Sequence, residues 1–209
     1  MVLTSKSVSD EKETTRLESF SDGVFGVAMT LLVVELKVPA RPASPTVAAL
    51  WAELCRQWPS YFSFLTSFAT VLIMWINHHG IFRLIRRTDS RLLFANGFLL
   101  LLVTAVPFPT AVVAVYLRTP AAPAACGAYC GLFVLISVAY GLLLLAARRG
   151  GHLLMPGADA EVSRRLKNCY RVGLPLYLLA LASSPFSCWI SLGICSGLWI
   201  FWSVVSVEQ

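Results

Sequence analysis

Residues 16–39, RLESFSDGVFGVAMTLLVVELKVP, form an apolar segment with charged residues near both ends. The apolar stretch 24–34 is too short to cross the hydrocarbon alone, because a spanning helix needs about 20 residues. The helix must therefore extend through Ser21 and Asp22 at one end and Glu35 at the other. A carboxylate at membrane depth is costly and usually faces protein or water. The segment predicts a membrane helix that is enclosed by protein or lines a cavity.

The composition of the whole chain indicates the same class of protein. Of its 209 residues, 57% are hydrophobic and 13% are charged, and the mean hydropathy is +0.71. Soluble domains have about 25% charged residues, so this chain has too little charge to cover a water-facing surface. Its apolar runs are continuous rather than alternating, which excludes a β-barrel and predicts an all-α membrane protein.

Six transmembrane helices are predicted in a single domain, 1–209. They cover approximately residues 18–37, 58–79, 91–117, 124–147, 170–183 and 186–206. Pro107 and Pro109 should kink the third span, because proline has no backbone N–H. The proline-rich segment 38–57 is expected to be a loop that ends in a short interfacial helix near Trp51 and Trp58. Residues 1–15 are polar and mixed in charge, which predicts a cytoplasmic tail rather than a signal peptide.

The basic residues orient these spans. With the N-terminus inside, 13 of the 17 basic residues fall in inner segments: Lys6, Lys12, Arg16, Arg83, Arg86, Arg87, Arg91, Arg148, Arg149, Arg164, Arg165, Lys167 and Arg171. The outer segments hold Lys37, Arg41, Arg56 and Arg118. The asymmetry follows the positive-inside rule and places both termini in the cytoplasm. It explains the net charge of +6 through contact with anionic lipid, without a nucleic-acid partner.

Helical spacing divides the first helix into two stripes. A slim stripe consists of Arg16, Phe20, Gly23, Val27, Thr30 with Leu31, and Val34. A bulkier stripe consists of Glu18, Asp22, Phe25, Met29, Leu32 and Leu36. The slim stripe could approach a symmetry axis, whereas the bulky stripe suits packing against neighbours. Both stripes could equally be ordinary helix–helix contacts, since small residues favour close packing in membranes.

The second span ends in a polar cluster within WINHHGIFRLIRR, residues 75–87. The cluster consists of Trp75, Asn77, His78 and His79. Adjacent histidines on a helix point about 100° apart and cannot share one metal ion, and no third-ligand pattern accompanies them. They could titrate as a pH sensor. The favoured interpretation is structural: the cluster donates hydrogen bonds to Asp22, because a buried carboxylate needs a partner. The six cysteines, likewise, show no metal-site spacing and are interpreted as packing residues.

These residues support a resemblance. The stretch 16–39 resembles the first-helix motif of the transmembrane-protein-175 family of potassium channels. WINHHGIFRLIRR, followed by RLL (91–93) and VPFPTAVV (106–113), is similar to the second and third helices of that family. The resemblance covers the first half of the chain closely and the second half only in helix number and hydropathy.

The resemblance implies a homotetramer of six-helix subunits in a bacterial cell membrane, with the first helices lining a central pore. It implies a hydrophobic constriction at Val27, further apolar positions at Leu31 and Val34, and a threonine layer at Thr30. It also implies a structural network at the cytoplasmic end; its members are Arg16, Phe20, Ser21, Asp22, Trp75, Asn77, His78 and His79. Relatives usually carry isoleucine or leucine at the constriction, so Val27 should widen the neck.

The expected function is a passive, weakly selective, potassium-permeable cation channel with no cofactor and no metal site beyond transient potassium. The sequence lacks the TVGYG filter, so selectivity must arise without rings of carbonyls. Glu35 could attract cations to the outer mouth, or could pair with Lys37 or Arg41. A proton-coupled transporter using Asp22 and His78 or His79 is the alternative. An enzyme is not expected, because no serine–histidine pair, metal set or paired carboxylates are present.

Overall fold

A computed structural model describes residues 5–40, 46–149 and 152–207. Its helices are α1 (Ser5–Val34), α2 (Val47–Arg56), α3 (Trp58–Phe82), α4 (Ser90–Thr104), α5 (Pro107–Tyr116), α6 (Ala122–Arg149), α7 (Asp159–Asn168), a π-helical segment (Cys169–Gly173), α8 (Leu174–Ser183) and α9 (Cys188–Val207). The described residues contain no strand, and a single antiparallel bridge pairs Ile85 with Leu154. The all-α prediction is confirmed.

Among the described residues, four segments are long and apolar enough to cross a membrane: Glu13–Val34, Trp58–Phe82, Ser90–Tyr116 and Ala122–Arg149. They correspond to the first four predicted spans. The apolar part of α9, Cys188–Ser203, is shorter within the described residues, and α8 has 10 residues. The number of six membrane spans therefore stays a prediction.

The first helix differs from its predicted bounds at both ends. It begins at Ser5, so most of the segment predicted as a tail is a helical extension. One reason is that the extension has a contact: Thr14 is buried and its hydroxyl donates to the carbonyl oxygen of Arg86 at 3.2 Å. At the other end the helix stops at Val34 rather than continuing to residue 37, and Leu36 closes a turn by donating to the carbonyl oxygen of Val33.

The connections follow the turn and cap signals in the sequence. The hydroxyl of Thr46 accepts from the N–H of Ala49 and starts α2, the short helix expected near Trp51. The carboxylate of Asp89 caps α4 by accepting from the N–H of Leu92 at 2.8 Å. The third predicted span is interrupted before Pro107, where α4 gives way to α5. This is where proline removes a backbone donor.

Helix α6 lies at the centre of the bundle and packs against α4, α5, α8 and α9. Helix α1 packs on the side formed by α3, α4 and α5. The predicted fifth span lies within a longer helical stretch, because α7 and the π-helical segment precede α8. Gly141 and Gly173 permit close packing here: an added Cβ would lie 2.6 Å from Oη of Tyr170 and 2.6 Å from Cζ2 of Trp202, respectively.

Candidate functional site: the first helix and its supports

Helix α1 has one face that the described residues 5–40, 46–149 and 152–207 leave uncovered. Val27, Leu31 and Val34 are 56%, 46% and 61% exposed. They lie at i, i+4 and i+7, so they form one stripe along the helix. Thr30 is exposed beside them, and its hydroxyl donates to the carbonyl oxygen of Val27 at 2.9 Å. These four residues are the ones that the resemblance assigned to an ion path.

The opposite face of α1 is buried. Phe25, Ala28 and Leu32 are fully buried, and α1 packs there against α3 and α4. The sequence predicts a helix that is enclosed by protein or lines a cavity. Within the described residues, α1 is enclosed on this face, and the slim stripe is exposed.

Two contacts join the bulky side of α1 to α3 at the end near residue 20. The indole Nε1 of Trp75 donates to a carboxylate oxygen of Asp22 at 2.8 Å. One turn further along, Nδ1 of His79 lies 2.9 Å from a carboxylate oxygen of Glu18. The rings of Trp75 and His79 stack with centroids 6.0 Å apart. Because both pairs are spaced i, i+4, they form a two-rung ladder between the helices.

A buried chain of polar side chains lies beside this ladder. Nε2 of His78 and Oδ1 of Asn96 are 2.8 Å apart, and the amide of Asn96 donates to Oγ of Ser21 at 2.9 Å. Ser21 in turn donates to the carbonyl oxygen of Leu17. Because Asn96 directs its NH₂ group to Ser21, its oxygen accepts a hydrogen bond from Nε2 of His78. This series of hydrogen bonds connects α3, α4 and α1. Because the bonded groups are buried, losing a bond is costly.

Asn96 was missed by sequence analysis. It is buried within the apolar run FANGFLL of α4. A lone amide inside such a run is itself a signal, because a buried polar group requires a partner. The partner could not be read from the sequence, since Ser21 lies 75 residues away.

The structure separates some residues that were expected to act together. Asn77 donates to the carbonyl oxygen of Ile73 in its own helix, and does not join the ladder. Phe20 is 63% exposed and Arg16 is exposed. The adjacent histidines face different groups: Asn96 for His78 and Glu18 for His79.

Glu35 lies just beyond the last residue of α1 and is half-buried. The amine of Lys37, one of its two suggested partners, is 3.5 Å from the carbonyl oxygen of Val34. Arg41, the other suggested partner, lies outside the described residues. Glu35 is thus positioned at the end of the uncovered stripe.

The fold and this site define an α-helical membrane protein. The bulky stripe of its first helix contacts α3, and the slim stripe is exposed. The sequence profile described as "Endosomal/lysosomal potassium channel TMEM175" matches residues 16–107. A potassium channel of Chamaesiphon minutus is 46% identical over 94% of this chain and 97% of its own length. The chain belongs to the TMEM175 family.

A solved structure and an animal relative extend the comparison. The crystal structure of a lysosomal potassium-selective channel TMEM175 homolog from Chamaesiphon minutus matches with a TM-score of 0.83 and 47% identity. It covers 93% of this chain and 98% of that one. The endosomal/lysosomal proton channel TMEM175 of Bos taurus is 33% identical over 44% of this chain and 20% of its own length.

Proposed function

We propose that four copies of this chain assemble into a passive, weakly selective, potassium-permeable cation channel. In this proposal each subunit has six membrane spans, and the four α1 helices surround the pore. Val27 forms the constriction, Leu31 and Val34 continue the apolar wall, and Thr30 contributes hydroxyl groups. The protein is not an enzyme and uses no cofactor.

The observation that supports this proposal best is the division of α1 into a fixed face and an uncovered face. The ladder and the buried polar chain set the rotation of the helix. That rotation directs valine, threonine and leucine outward rather than the bulky Phe25 and Leu32. Slim side chains allow four helices to approach one axis while leaving a narrow apolar neck.

The hydroxyl of Thr30 suits a permeant cation. Its proton is directed to the carbonyl oxygen of Val27, so the lone pairs of its oxygen are available on the uncovered side. A ring of four such oxygens would replace part of the hydration shell of potassium. Potassium loses less hydration energy than sodium, so a narrow neck with few polar groups favours potassium modestly. Glu35 at the end of the stripe would raise the local cation concentration.

The same proposal places the channel in the bacterial cell membrane with both termini in the cytoplasm. The excess of basic residues in the proposed inner segments supports this orientation. Helices α8 and α9 would form the fifth and sixth spans as a tight hairpin, since only residues 184–187 separate them. The partners are then three further copies of the chain, the lipid bilayer and potassium ions.

A proton-coupled transporter is the alternative, with Asp22 and His78 or His79 as relay groups. The bovine relative is named a proton channel, which is a specific reason to test proton movement. Against a relay, Asp22, His78 and His79 contact three different partners: Trp75, Asn96 and Glu18. A relay would require these contacts to exchange during each cycle.

Purified protein in liposomes tests the proposal. Potassium flux down its gradient is expected to exceed sodium flux and to continue without a proton gradient. Equal ion retention with and without protein would contradict the channel. Flux that saturates and stops when the proton gradient is removed would favour the transporter. Val27→Cys should form an intersubunit disulfide under mild oxidation, whereas Val33→Cys, exposed but on another side of α1, should form much less.

A further inference from the structure

Two buried cysteines of different helices are in direct contact. Sγ of Cys130 on α6 and Sγ of Cys195 on α9 are 3.4 Å apart, and both residues are free thiols. Cys130 is 0% exposed and Cys195 is 6% exposed. Nonbonded carbon atoms pack at about 3.5–4.0 Å, so two sulfur atoms at this separation have no other group between them.

Ser191 fixes the direction of the hydrogen bonds at this contact. Its hydroxyl donates its proton to the carbonyl oxygen of Ala180 at 2.8 Å. Its oxygen therefore accepts from the thiol of Cys130 at 3.0 Å. Because the proton of Cys130 is used in this way, the sulfur of Cys130 accepts from the thiol of Cys195. Cys195 is thus the first donor of the series, and its proton points to the sulfur of Cys130.

A cleft leads from the surface of the bundle to Cys195. Helices α3, α6 and α9 form its walls. The lining residues are Phe62, Thr66, Tyr129, Leu192, Cys195 and Ser196. Phe62, Thr66 and Ser196 are half-buried, so the cleft opens at the surface. In the proposed arrangement these helices are membrane spans, and a small oxidant dissolved in the membrane can reach the thiol of Cys195 through the cleft.

We propose that Cys130 and Cys195 are a modification site at which an organic hydroperoxide produces a disulfide between α6 and α9. A sulfur–sulfur bond is about 2.0 Å long, so the two sulfur atoms must approach by about 1.4 Å from their present contact. The sequence interprets the cysteines as packing residues, and the contact gives this pair a second role. The site is separate from the proposed pore, because the uncovered stripe lies on α1.

The oxidation takes place in two steps. The sulfur of Cys195 attacks the terminal oxygen of the hydroperoxide, and a sulfur–oxygen bond forms as the oxygen–oxygen bond breaks. The departing alkoxide takes the thiol proton and leaves as an alcohol, so Cys195 becomes a sulfenic acid. The sulfur of Cys130 then attacks that sulfur, and hydroxide leaves with the proton of Cys130 as water. The two thiols lose two electrons, and the hydroperoxide is reduced to alcohol and water.

Peptide mass spectrometry of purified protein treated with cumene hydroperoxide tests the proposal. After unfolding and alkylation of the remaining thiols, the peptides that contain Cys130 and Cys195 are expected to be joined by a disulfide within one chain. Cys195→Ser and Cys130→Ser should each lose this crosslink. Cys188→Ser, which removes another cysteine of α9, should retain it. Complete alkylation of both thiols in the treated wild type would overturn the proposal, and so would a disulfide from either residue to another cysteine.

Thermal unfolding in detergent gives an independent measurement. A disulfide restricts the unfolded chain, so treatment with cumene hydroperoxide should raise the unfolding temperature of the wild type by several degrees, and dithiothreitol should reverse the rise. Cys195→Ser should show no such rise, whereas Cys188→Ser should show it. An equal rise in Cys195→Ser and in the wild type would contradict the crosslink.

The route of the oxidant is tested in liposomes. At equal concentration, cumene hydroperoxide is expected to form the crosslink several-fold faster than hydrogen peroxide, because it dissolves in the hydrocarbon. Ser196→Phe narrows the cleft and should slow the reaction several-fold. Ile190→Phe, at an exposed position on another side of α9, should react as the wild type does. Faster crosslinking by hydrogen peroxide, or an unchanged rate in Ser196→Phe, would overturn access through this cleft. None of these outcomes depends on whether the protein conducts ions.

Discussion

The indole Nε1 of Trp75 donates to the carboxylate of Asp22 across 2.8 Å, and this hydrogen bond sets which side of α1 faces outward. The carboxylate of Asp22 therefore helps to hold α1 against α3. Asp22 is half-buried, so it needs this donor more than a fully solvated carboxylate would.

Trp75→Phe keeps the aromatic ring but removes the donor to Asp22. The folded protein should lose about 1–3 kcal/mol, the usual cost of leaving a partly buried charged acceptor without its hydrogen bond. Thermal unfolding in detergent measures the loss. Trp51→Phe, at an exposed position on α2, should change stability little. Similar losses for both variants would contradict a specific role for the Trp75–Asp22 hydrogen bond.

Asn96→Leu removes the centre of the buried polar chain. It leaves Ser21 and His78 without their shared partner, and should destabilise the protein by about 1–3 kcal/mol. Asn77→Leu is the matched control, because Asn77 donates only to a carbonyl of its own helix. If the two variants were equally stable in chemical or thermal unfolding, the buried polar chain would not be a stabilising element.

In the proposed tetramer, Val27→Leu adds one methylene group per subunit to the constriction. The neck should narrow, and potassium current under voltage clamp should fall. Val33→Leu makes the same change at an exposed position that is turned about 120° away on α1, and should leave the current unchanged. An unchanged or larger current in Val27→Leu would reject Val27 as the narrowest point.

Gly173→Ala tests the packing of the π-helical segment. An added Cβ would lie 2.6 Å from Cζ2 of Trp202, so the ring must move, and overpacking of this kind costs about 1–3 kcal/mol. Gly193→Ala meets nothing within 4 Å and should be neutral or slightly stabilising. Combining Gly173→Ala with Trp202→Phe should restore part of the lost unfolding temperature if the clash is the cause.

Glu161 gives stability a dependence on pH. Burial alone would raise the pKa of this carboxyl, but hydrogen bonds from Arg164 and Arg165 lower it below its ordinary value of 4.5. A lowered folded-state pKa contributes stability above the unfolded pKa, and that contribution disappears as the pH falls through the folded pKa. The wild type should therefore be more stable than Glu161→Gln at pH 7. The difference in unfolding temperature should shrink below about pH 4.5, and a difference independent of pH would contradict this account.

Much of the fold was predictable because its signals are local. Continuous apolar runs indicated the first four long helices, and Pro107 marked the break between α4 and α5. The two faces of α1 followed from helical spacing alone. The helical extension from Ser5 was not predictable, because its anchor, the hydrogen bond from Thr14 to Arg86, joins residues 72 positions apart.

The candidate site, too, was only partly predictable from the sequence. The cluster at residues 75–79 was visible as polar residues near a helix end, and Asp22 as a carboxylate in need of a partner. Which member meets which carboxylate depends on the approach of α1 to α3, and spacing could not assign Trp75 to Asp22 and His79 to Glu18. Asn77 was grouped with its neighbours by sequence, although its position turns it to another side of α3. The ion path itself came from resemblance, since spacing left both stripes as possible helix contacts.

The ladder between α1 and α3 fixes the rotation of the first helix about its own axis. The direction of each side chain after Asp22 is then set by its distance along the helix from these two contacts, since successive residues are turned by 100°. Inserting one residue between Gly23 and Gly26 would leave the ladder intact while rotating the distal half of the helix by about 100°. The slim stripe would turn away from the position it now holds, although its composition would be unchanged. Which residues face the proposed pore therefore depends on the register of the chain as much as on the choice of side chains.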